Sequence, residues 1–430
     1  MYKVYIFGMG YVGLTFGVYA SKSTKIYGIE NDLKSAQSIN DRNISIVDKG
    51  ILDGLNEALD KKNLVIGNNL ADVFDNDNKN TNVFIITPGT PLNDDGSVNL
   101  SSINTIVKDI KSYVKEGDIV ILRSTVKVGI TEEIAKKFKK IKNINIGFCP
   151  ERTVEGIALE ELKNLPQIIG ANDQHTYLNI KKFFSYINIS SLNIISIKEA
   201  ELTKLLCNSE RDLNFALANE IAYICENIGI SAKNVINAAS KDYSRSSLKK
   251  PGIVGGPCLE KDPYILKESV PLYNFKLLSI SREVNEEIIN VALTRIKKNV
   301  TNKNSIKKIA ILGCAFKGFP VTADVRGSLI YEIKDGLKNI YSDCKFFYHD
   351  FLNEEVNKQD ITLNCSSDVL EVSANSDIII LQNNHPEYAK MNWEAIDKNL
   401  RKNSIVYDFW NQLDSKDFKN SKYLSLGEGS

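Results

Sequence analysis

Lys3-Val4-Tyr5-Ile6-Phe7-Gly8-Met9-Gly10-Tyr11-Val12-Gly13 is the stretch on which the reading of the whole chain turns. An apolar run rich in β-branched and aromatic residues reads as a strand; it breaks at Gly8 and passes into a helical pattern. Gly-x-Gly-x-x-Gly at such a junction has a mechanical meaning. Gly8 permits the tight turn, Gly10 lets backbone approach a pyrophosphate, and Gly13 lets the helix pack on the strand, with Tyr11 and Val12 completing the turn. Phosphates then meet a helix N-terminus, where free N–H groups and the dipole favour negative charge. About 20 residues on, Tyr27-Gly28-Ile29-Glu30 ends a second strand on an acid. A carboxylate there accepts from a ribose 2′-hydroxyl and repels a 2′-phosphate, so the expected cofactor is NAD rather than NADP. FAD shares the glycine pattern, and these six residues do not separate the two. Strand, helix and Glu30 standing in register argue against a glycine turn that binds nothing.

Outward from this point, short β-rich runs alternate with helical patterns, the signature of a parallel sheet wrapped by helices. Expected strands are 3–7, 25–29, 83–86, 119–122 and 144–148. In such open sheets ligands bind beyond the carboxyl ends of the strands. From Ile197 the pattern changes. Glu199 to about Ile228 runs without Gly or Pro and then meets Gly229, which reads as one long helix. A second helix is expected from about Ser281 to Asn299, and a Lys/Asn-rich linker over 297–308. Strands then resume at 308–312, 345–348, 378–381 and 405–407. Lys308-Ile309-Ala310-Ile311-Leu312-Gly313-Cys314-Ala315-Phe316-Lys317-Gly318 echoes the opening stretch, but it lacks the middle glycine and gains Lys317. A mononucleotide fits that turn better than a dinucleotide. The fold class is therefore α/β with an all-helical centre, divided as 1–196, 197–300 and 301–430.

Composition narrows the function. Of 430 residues, 43% are hydrophobic and 25% charged, ordinary for a chain that buries sizeable cores. Lys+Arg 54 against Asp+Glu 53 excludes the basic excess of a general nucleic-acid binder. No apolar run approaches the roughly 18 residues of a membrane helix, and the N-terminus shows no export signal. Seven cysteines, odd in number and without zinc-clasp spacing, indicate a reduced, cytoplasmic chain and no metal site.

Most of those thiols read as small core residues. Cys258 does not: Gly255-Gly256-Pro257-Cys258-Leu259-Glu260-Lys261-Asp262 places it on a Gly/Pro loop with a cation three residues away. Exposed loop N–H groups and that cation could activate a thiolate nucleophile, against the blander reading of an inert loop thiol. On the long helix Lys204, Asn208, Arg211 and Asp212 fall at spacings that share one face, among Leu202, Leu205, Leu206 and Leu213. The surrounding leucines favour a functional stripe over a solvated one.

Together these pieces resemble the UDP-glucose/GDP-mannose dehydrogenase family, the nucleotide-sugar 6-dehydrogenases. The motifs stand in the family's order over nearly the whole chain: Gly8–Gly13; Thr87-Pro88-Gly89-Thr90-Pro91; Ser124-Thr125-Val126 with Gly129; Pro150-Glu151-Arg152; Glu201 to Asn219; Gly255–Asp262; and Ala315-Phe316-Lys317 leading to Asp324-Val325-Arg326-Gly327-Ser328. The resemblance implies an N-terminal NAD domain, a central helical domain that dimerises and carries catalytic residues, and a C-terminal UDP-sugar domain, in a homodimer or larger homo-oligomer. It implies oxidation of a primary alcohol at C6 to a carboxylate, a four-electron reaction using two NAD. Cys258 matches the family nucleophile, which holds the aldehyde as a thiohemiacetal and then a thioester. Lys204 and Asn208 match groups that stabilise developing oxyanions. Asp262 and Thr125 match positions linked to the catalytic water, and Glu151 a carboxylate assigned to general acid–base work. Thr87, Pro88, Thr90, Ser124 and Thr125 match the cofactor path, Thr87 and Thr90 having a turn-capping alternative, and Arg326 matches a residue reaching back to the cofactor. Gly255, Lys261 and Lys317 match positions near the substrate, and Arg245 is assigned to its phosphates.

Two branches are mixed here. Pro150-Glu151-Arg152 is like the N-acetylhexosamine branch, where the UDP-glucose branch has an aromatic after the acid. Lys261-Asp262 is like the UDP-glucose branch, but Pro263-Tyr264 follows, like the other. Arg152 tips the expectation to a UDP-N-acetylhexosamine, with UDP-glucose or GDP-mannose as alternatives. Ile44–Gly50 departs from the family's usual proline-containing stretch, with no functional reading. Single-hydride dehydrogenases that join an NAD domain to helices would not need Cys258. A catalytically silent nucleotide-sugar binder would not need the intact set Cys258, Lys204, Asn208 and Asp262.

Overall fold

The structure, a computed structural model, describes residues 2–76, 79–139, 141, 143–191 and 195–429. The chain forms two compact units, Met1–Cys207 with Lys261–Asn274, and Asn208–Glu260 with Phe275–Ser430.

In the first unit six parallel strands, β1 (Tyr2–Phe7), β2 (Ile26–Ile29), β3 (Leu64–Gly67), β4 (Thr81–Ile86), β5 (Ile119–Leu122) and β6 (Asn145–Phe148), stand in the order β3-β2-β1-β4-β5-β6. The chain winds outward in opposite directions from β1 and β4, and at such a switch point loops part to leave a crevice. Both faces are covered, as a parallel sheet requires. Leu14, Phe16 and Val18 of the helix Tyr11–Ala20 pack on Ile6, Val83 and Ile121, while Ile103, Val107 and Ile130 pack on Phe84, Ile86 and Val120. The sequence reading had no strand at β3. Only Leu64 of its four residues is buried, so it lacks the continuous burial of a strand such as β5.

The helix Ile197–Ile228 runs unbroken for 32 residues. A reciprocal capping box starts it two residues before Glu199: Ser196 N–H donates to Glu199 Oε2 at 2.7 Å and Glu199 N–H to Ser196 Oγ at 3.2 Å. Gly229, at φ +75, ends it in the left-handed conformation that favours glycine.

In the second unit the helix Lys276–Asn299 begins five residues earlier than expected, since no breaker separates Lys276 from Ser281. After a short turn at Lys303–Ser305, five parallel strands follow: β7 (Lys308–Leu312), β8 (Lys345–His349), β9 (Ile378–Leu381), β10 (Ile405–Asp408) and β11 (Lys422–Ser425). Their order, β11-β10-β9-β7-β8, is doubly wound with its switch point between β7 and β9. The expected linker is thus shorter than 297–308, and β11 adds an edge strand that the sequence reading lacked.

Candidate active site

In the first unit four of the expected motifs lie beyond the carboxyl ends of strands. Gly8–Gly13 follows β1, Thr87–Thr90 follows β4, Ser124 and Thr125 follow β5, and Glu151 and Arg152 follow β6. The glycine turn is built for close approach. A Cβ on Gly13 would lie 1.9 Å from Gly8 O, whereas one on Gly10 would meet nothing within 4 Å. Gly10 caps the helix without a side-chain bond. Open space, bare backbone and a helix N-terminus are what a pyrophosphate needs, so the residues present fit NAD. Glu30 leans over the turn, Oε2 accepting Met9 N–H at 2.9 Å and Oε1 accepting Asp32 N–H at 3.1 Å. Thr87 Oγ1 donates to Phe7 O at 2.7 Å, and Thr90 Oγ1 to Thr125 O at 2.6 Å. Both hydroxyls therefore close the crevice loops. Tyr11 donates to Asp48, and Asp48 also accepts Ala158 N–H at 2.7 Å. The departing stretch Ile44–Gly50 thus supplies the anchor that ties the glycine helix to the segment after Arg152.

Glu151 is buried. Burial alone pushes its carboxyl up, but the Arg123 guanidinium, Thr153 N–H and the Lys204 ammonium outweigh this and hold it below the ordinary range. Arg152 donates through Nη2 to Pro166 O at 2.6 Å. Lys261 Nζ donates to Asp262 Oδ1 at 2.9 Å, with Asp262 fully buried at the start of the helix Asp262–Ser269. Glu201 accepts Gly129 N–H at 2.6 Å and Thr131 N–H at 2.8 Å, so the first turn of the long helix caps the helix Ile130–Lys137.

On the long helix Lys204 is half-buried and Asn208, one turn on, is buried. Arg211 is exposed and leaves the expected stripe. Asp212 is fully buried in the second unit, where Arg282 Nη1 reaches its Oδ1 at 2.6 Å and Asn285 Nδ2 donates at 2.9 Å. It is a structural anion. Asn219 pairs with the backbone of Gly252 in both directions, at 3.0 and 2.9 Å, and so holds the approach to the cysteine loop.

Of the seven cysteines Cys258 alone is exposed. Its loop is braced inside the second unit, where Gly256 N–H donates to Gly327 O at 2.7 Å. A Cβ on Gly256 would lie 2.5 Å from the Phe316 ring, and one on Gly255 2.4 Å from Gly327 O. The segment carrying Cys258 therefore lies against the segments carrying Lys317 and Arg326. Arg326, its side chain 61% exposed, pairs with Asp324 at 2.5 Å. Arg245 is exposed, stacked 4.8 Å from the Tyr243 ring, and no contact draws it to this cluster.

Three family models match in succession: the NAD binding domain of the UDP-glucose/GDP-mannose dehydrogenase family over residues 2–188, its central domain over 198–287 and its UDP binding domain over 310–415. This chain belongs to the UDP-glucose/GDP-mannose dehydrogenase family. It is 30% identical over 436 residues to the UDP-N-acetyl-D-mannosamine dehydrogenase of Methanocaldococcus jannaschii, covering 99% of this chain and 97% of that one. A Campylobacter jejuni protein of the same name is 30% identical over 414 residues, covering 92% and 98%. The solved structure of UDP-D-ManNAc dehydrogenase from Pyrococcus horikoshii superposes with a TM-score of 0.86 at 26% identity, covering 99% of each chain. As a member of the UDP-glucose/GDP-mannose dehydrogenase family, the chain is an NAD-dependent nucleotide-sugar dehydrogenase, and this reading prevails over the single-hydride and silent-binder alternatives. Among the described residues no helix is long and apolar enough to cross a membrane.

Arg123, Gln167, Asp48 and Arg282 went unremarked in the sequence. Each acts through a partner distant in the chain; a buried charge in an otherwise apolar run is the one signal that could have marked Arg123, Asp48 and Arg282, and the uncharged Gln167 carried none.

Proposed function

We propose that this enzyme oxidises a UDP-N-acetylhexosamine of the mannosamine type at C6 to the uronic acid, in two steps of two electrons each. The names of its full-length relatives support the sugar, as does Arg152 in place of an aromatic. The chemistry that NAD supplies when bound is hydride acceptance, twice per sugar. Gly8, Gly10, Tyr11, Val12, Gly13, Glu30, Thr87, Pro88, Thr90, Ser124 and Thr125 would hold it, and Arg326 is assigned to the same cofactor by its match to the family motif. Lys204 and Asn208 stabilise negative charge on the C6 oxygen. The Cys258 thiolate adds to the aldehyde, and loss of the second hydride turns that adduct into a thioester. Water, served by Asp262, Thr125 and Glu151, releases the acid. Glu151, Arg152, Lys204, Asn208, Arg245, Gly255, Lys261 and Lys317 make up the substrate set.

The observation that carries this reading is Cys258 itself, the one exposed thiol of seven, on a loop braced by glycines that admit no side chain. Residues 1–196 are assigned to NAD, 197–300 to the central domain and 301–430 to the UDP-sugar, in a cytoplasmic homodimer or larger homo-oligomer joined through the central helix. The test is NADH formed at completion per sugar, across UDP-N-acetylmannosamine, UDP-N-acetylglucosamine, UDP-glucose and GDP-mannose. Two NADH with an N-acetylhexosamine is the expected result. Two with UDP-glucose or GDP-mannose instead overturns the sugar, and one NADH with any overturns the role of Cys258.

A further inference from the structure

Arg123 directly follows β5, and its side chain is wholly buried in the first unit. A guanidinium is tolerated there only when its charge is met. Its Nη2 donates to Glu151 Oε2, its Nη1 to Gln167 Oε1 at 2.7 Å, and its plane lies 4.7 Å from the Phe16 ring centroid. Gln167 is held in turn, Nε2 donating to Pro150 O at 3.0 Å and to Ile168 O at 2.9 Å. Glu151 Oε1 accepts the N–H groups of Arg152 at 2.8 Å and Thr153 at 2.9 Å. These partners of the carboxyl are all donors. A protonated carboxyl would need an acceptor for its O–H, so the cage selects the anion.

The charged groups facing Glu151 are Arg123 from the end of β5 and Lys204 from the long helix. Arg152 directs its guanidinium to Pro166 O, and Glu161 Oε2 accepts Val154 N–H at 2.7 Å. Burial pushes the neighbouring Cys149 thiol up to about 12, so it stays neutral.

We propose that Arg123 is a positioning residue that holds Glu151 as an oriented carboxylate, so that Glu151 enters each turnover as a proton acceptor and not as a donor. This rests on the reaction proposed above. In its hydrolytic step the water oxygen bonds to C6, the C6–S bond breaks with its electron pair leaving on sulfur as thiolate, and the water's proton passes to Glu151 and then to solvent. No electrons are exchanged in that step.

Two measurements test this. The first is the pH profile of kcat for NADH formation in wild type, Arg123→Met and Arg123→Lys. The expected result is an acidic limb moved up by at least one pH unit in Arg123→Met, and by less in Arg123→Lys, which keeps the charge but loses the fork. The second needs no turnover: thermal unfolding from pH 5.5 to 8.5 of Arg123→Met beside the double variant Arg123→Met/Glu151→Gln. With its cation gone, the buried carboxylate of Arg123→Met should become less stable as pH rises, and the double variant should be spared. An unmoved acidic limb, or single and double variants that keep the same difference at every pH, overturns the role of Arg123. If wild type reduces NAD with none of the sugars, the proposed reaction fails while the unfolding comparison still decides on Arg123.

Discussion

Replacing Glu260 by glutamine removes a carboxyl two residues beyond Cys258 while keeping its shape. In the second unit the group is packed against the turns that brace the cysteine loop: a Cβ on Gly327 would lie 2.7 Å from Oε2, and one on Gly255 3.5 Å from Oε1. Burial pushes the carboxyl up to about 7; Glu332 adds to this, Arg282 and Gly256 N–H oppose it, and Glu286 reinforces it. In the unfolded chain a glutamate ionises at about 4.3. Between that value and about 7 the folded protein keeps a proton that the unfolded chain has lost, so stability falls as pH rises through the window and levels off above it. At about 1.4 kcal/mol per pH unit the ceiling is about 4 kcal/mol, and partial contact with solvent brings this to roughly 1–2 kcal/mol. Glu260→Gln does not titrate. Relative to wild type it should gain about 1–2 kcal/mol between pH 5 and pH 8.5, or roughly 2–8 °C in Tm for a cooperative unit of about 200 residues. Differential scanning calorimetry of both proteins at matched ionic strength reads this directly. A Tm difference that stays constant from pH 5 to 8.5 would refute the reasoning, because it would mean that Glu260 carries its charge in the folded state as it does in the unfolded one.

Gly13→Ala places a methyl 1.9 Å from Gly8 O; isothermal titration should show NAD affinity falling by about 100-fold or more, and near-wild-type binding would mean that the turn is not the phosphate cradle. Asp212→Asn leaves the buried Arg282 guanidinium without its buried counter-charge, with only the exposed Glu286 at 3.1 Å to pair with. Stability should drop by about 3–5 kcal/mol in urea unfolding, and Asp212→Asn/Arg282→Met should recover part of it. Glu30→Ser removes the acid at the end of β2, so the ratio of kcat/KM for NADP over NAD should rise by about 10-fold or more; an unchanged ratio would place cofactor choice elsewhere.

What the sequence by itself determined depends on residues close together along the chain. The glycine turn, with Glu30 after the next strand, specified a dinucleotide crevice because its demands on φ and on side-chain volume are local. The long helix was legible from Glu199 because no breaker lies before Gly229, which ends it; the Ser196–Glu199 cap that starts it at Ile197 emerged only from the structure. The order of motifs marked the family. The tertiary structure decided what chain separation conceals. Glu151 and Arg123 are 28 residues apart, Asp212 and Arg282 70, Glu201 and Thr131 70, and Asp48 and Ala158 110. A pattern read along the chain shows that a carboxylate is present but not which cation or amide meets it, and that partner decides whether the group is a solvated surface charge, a structural anchor or a base held ready. The short edge strands β3 and β11 escaped for a related reason. Neither is buried along its whole length, as the four-residue strands β5 and β9 are, and their conformation comes from the neighbouring strand to which they hydrogen-bond.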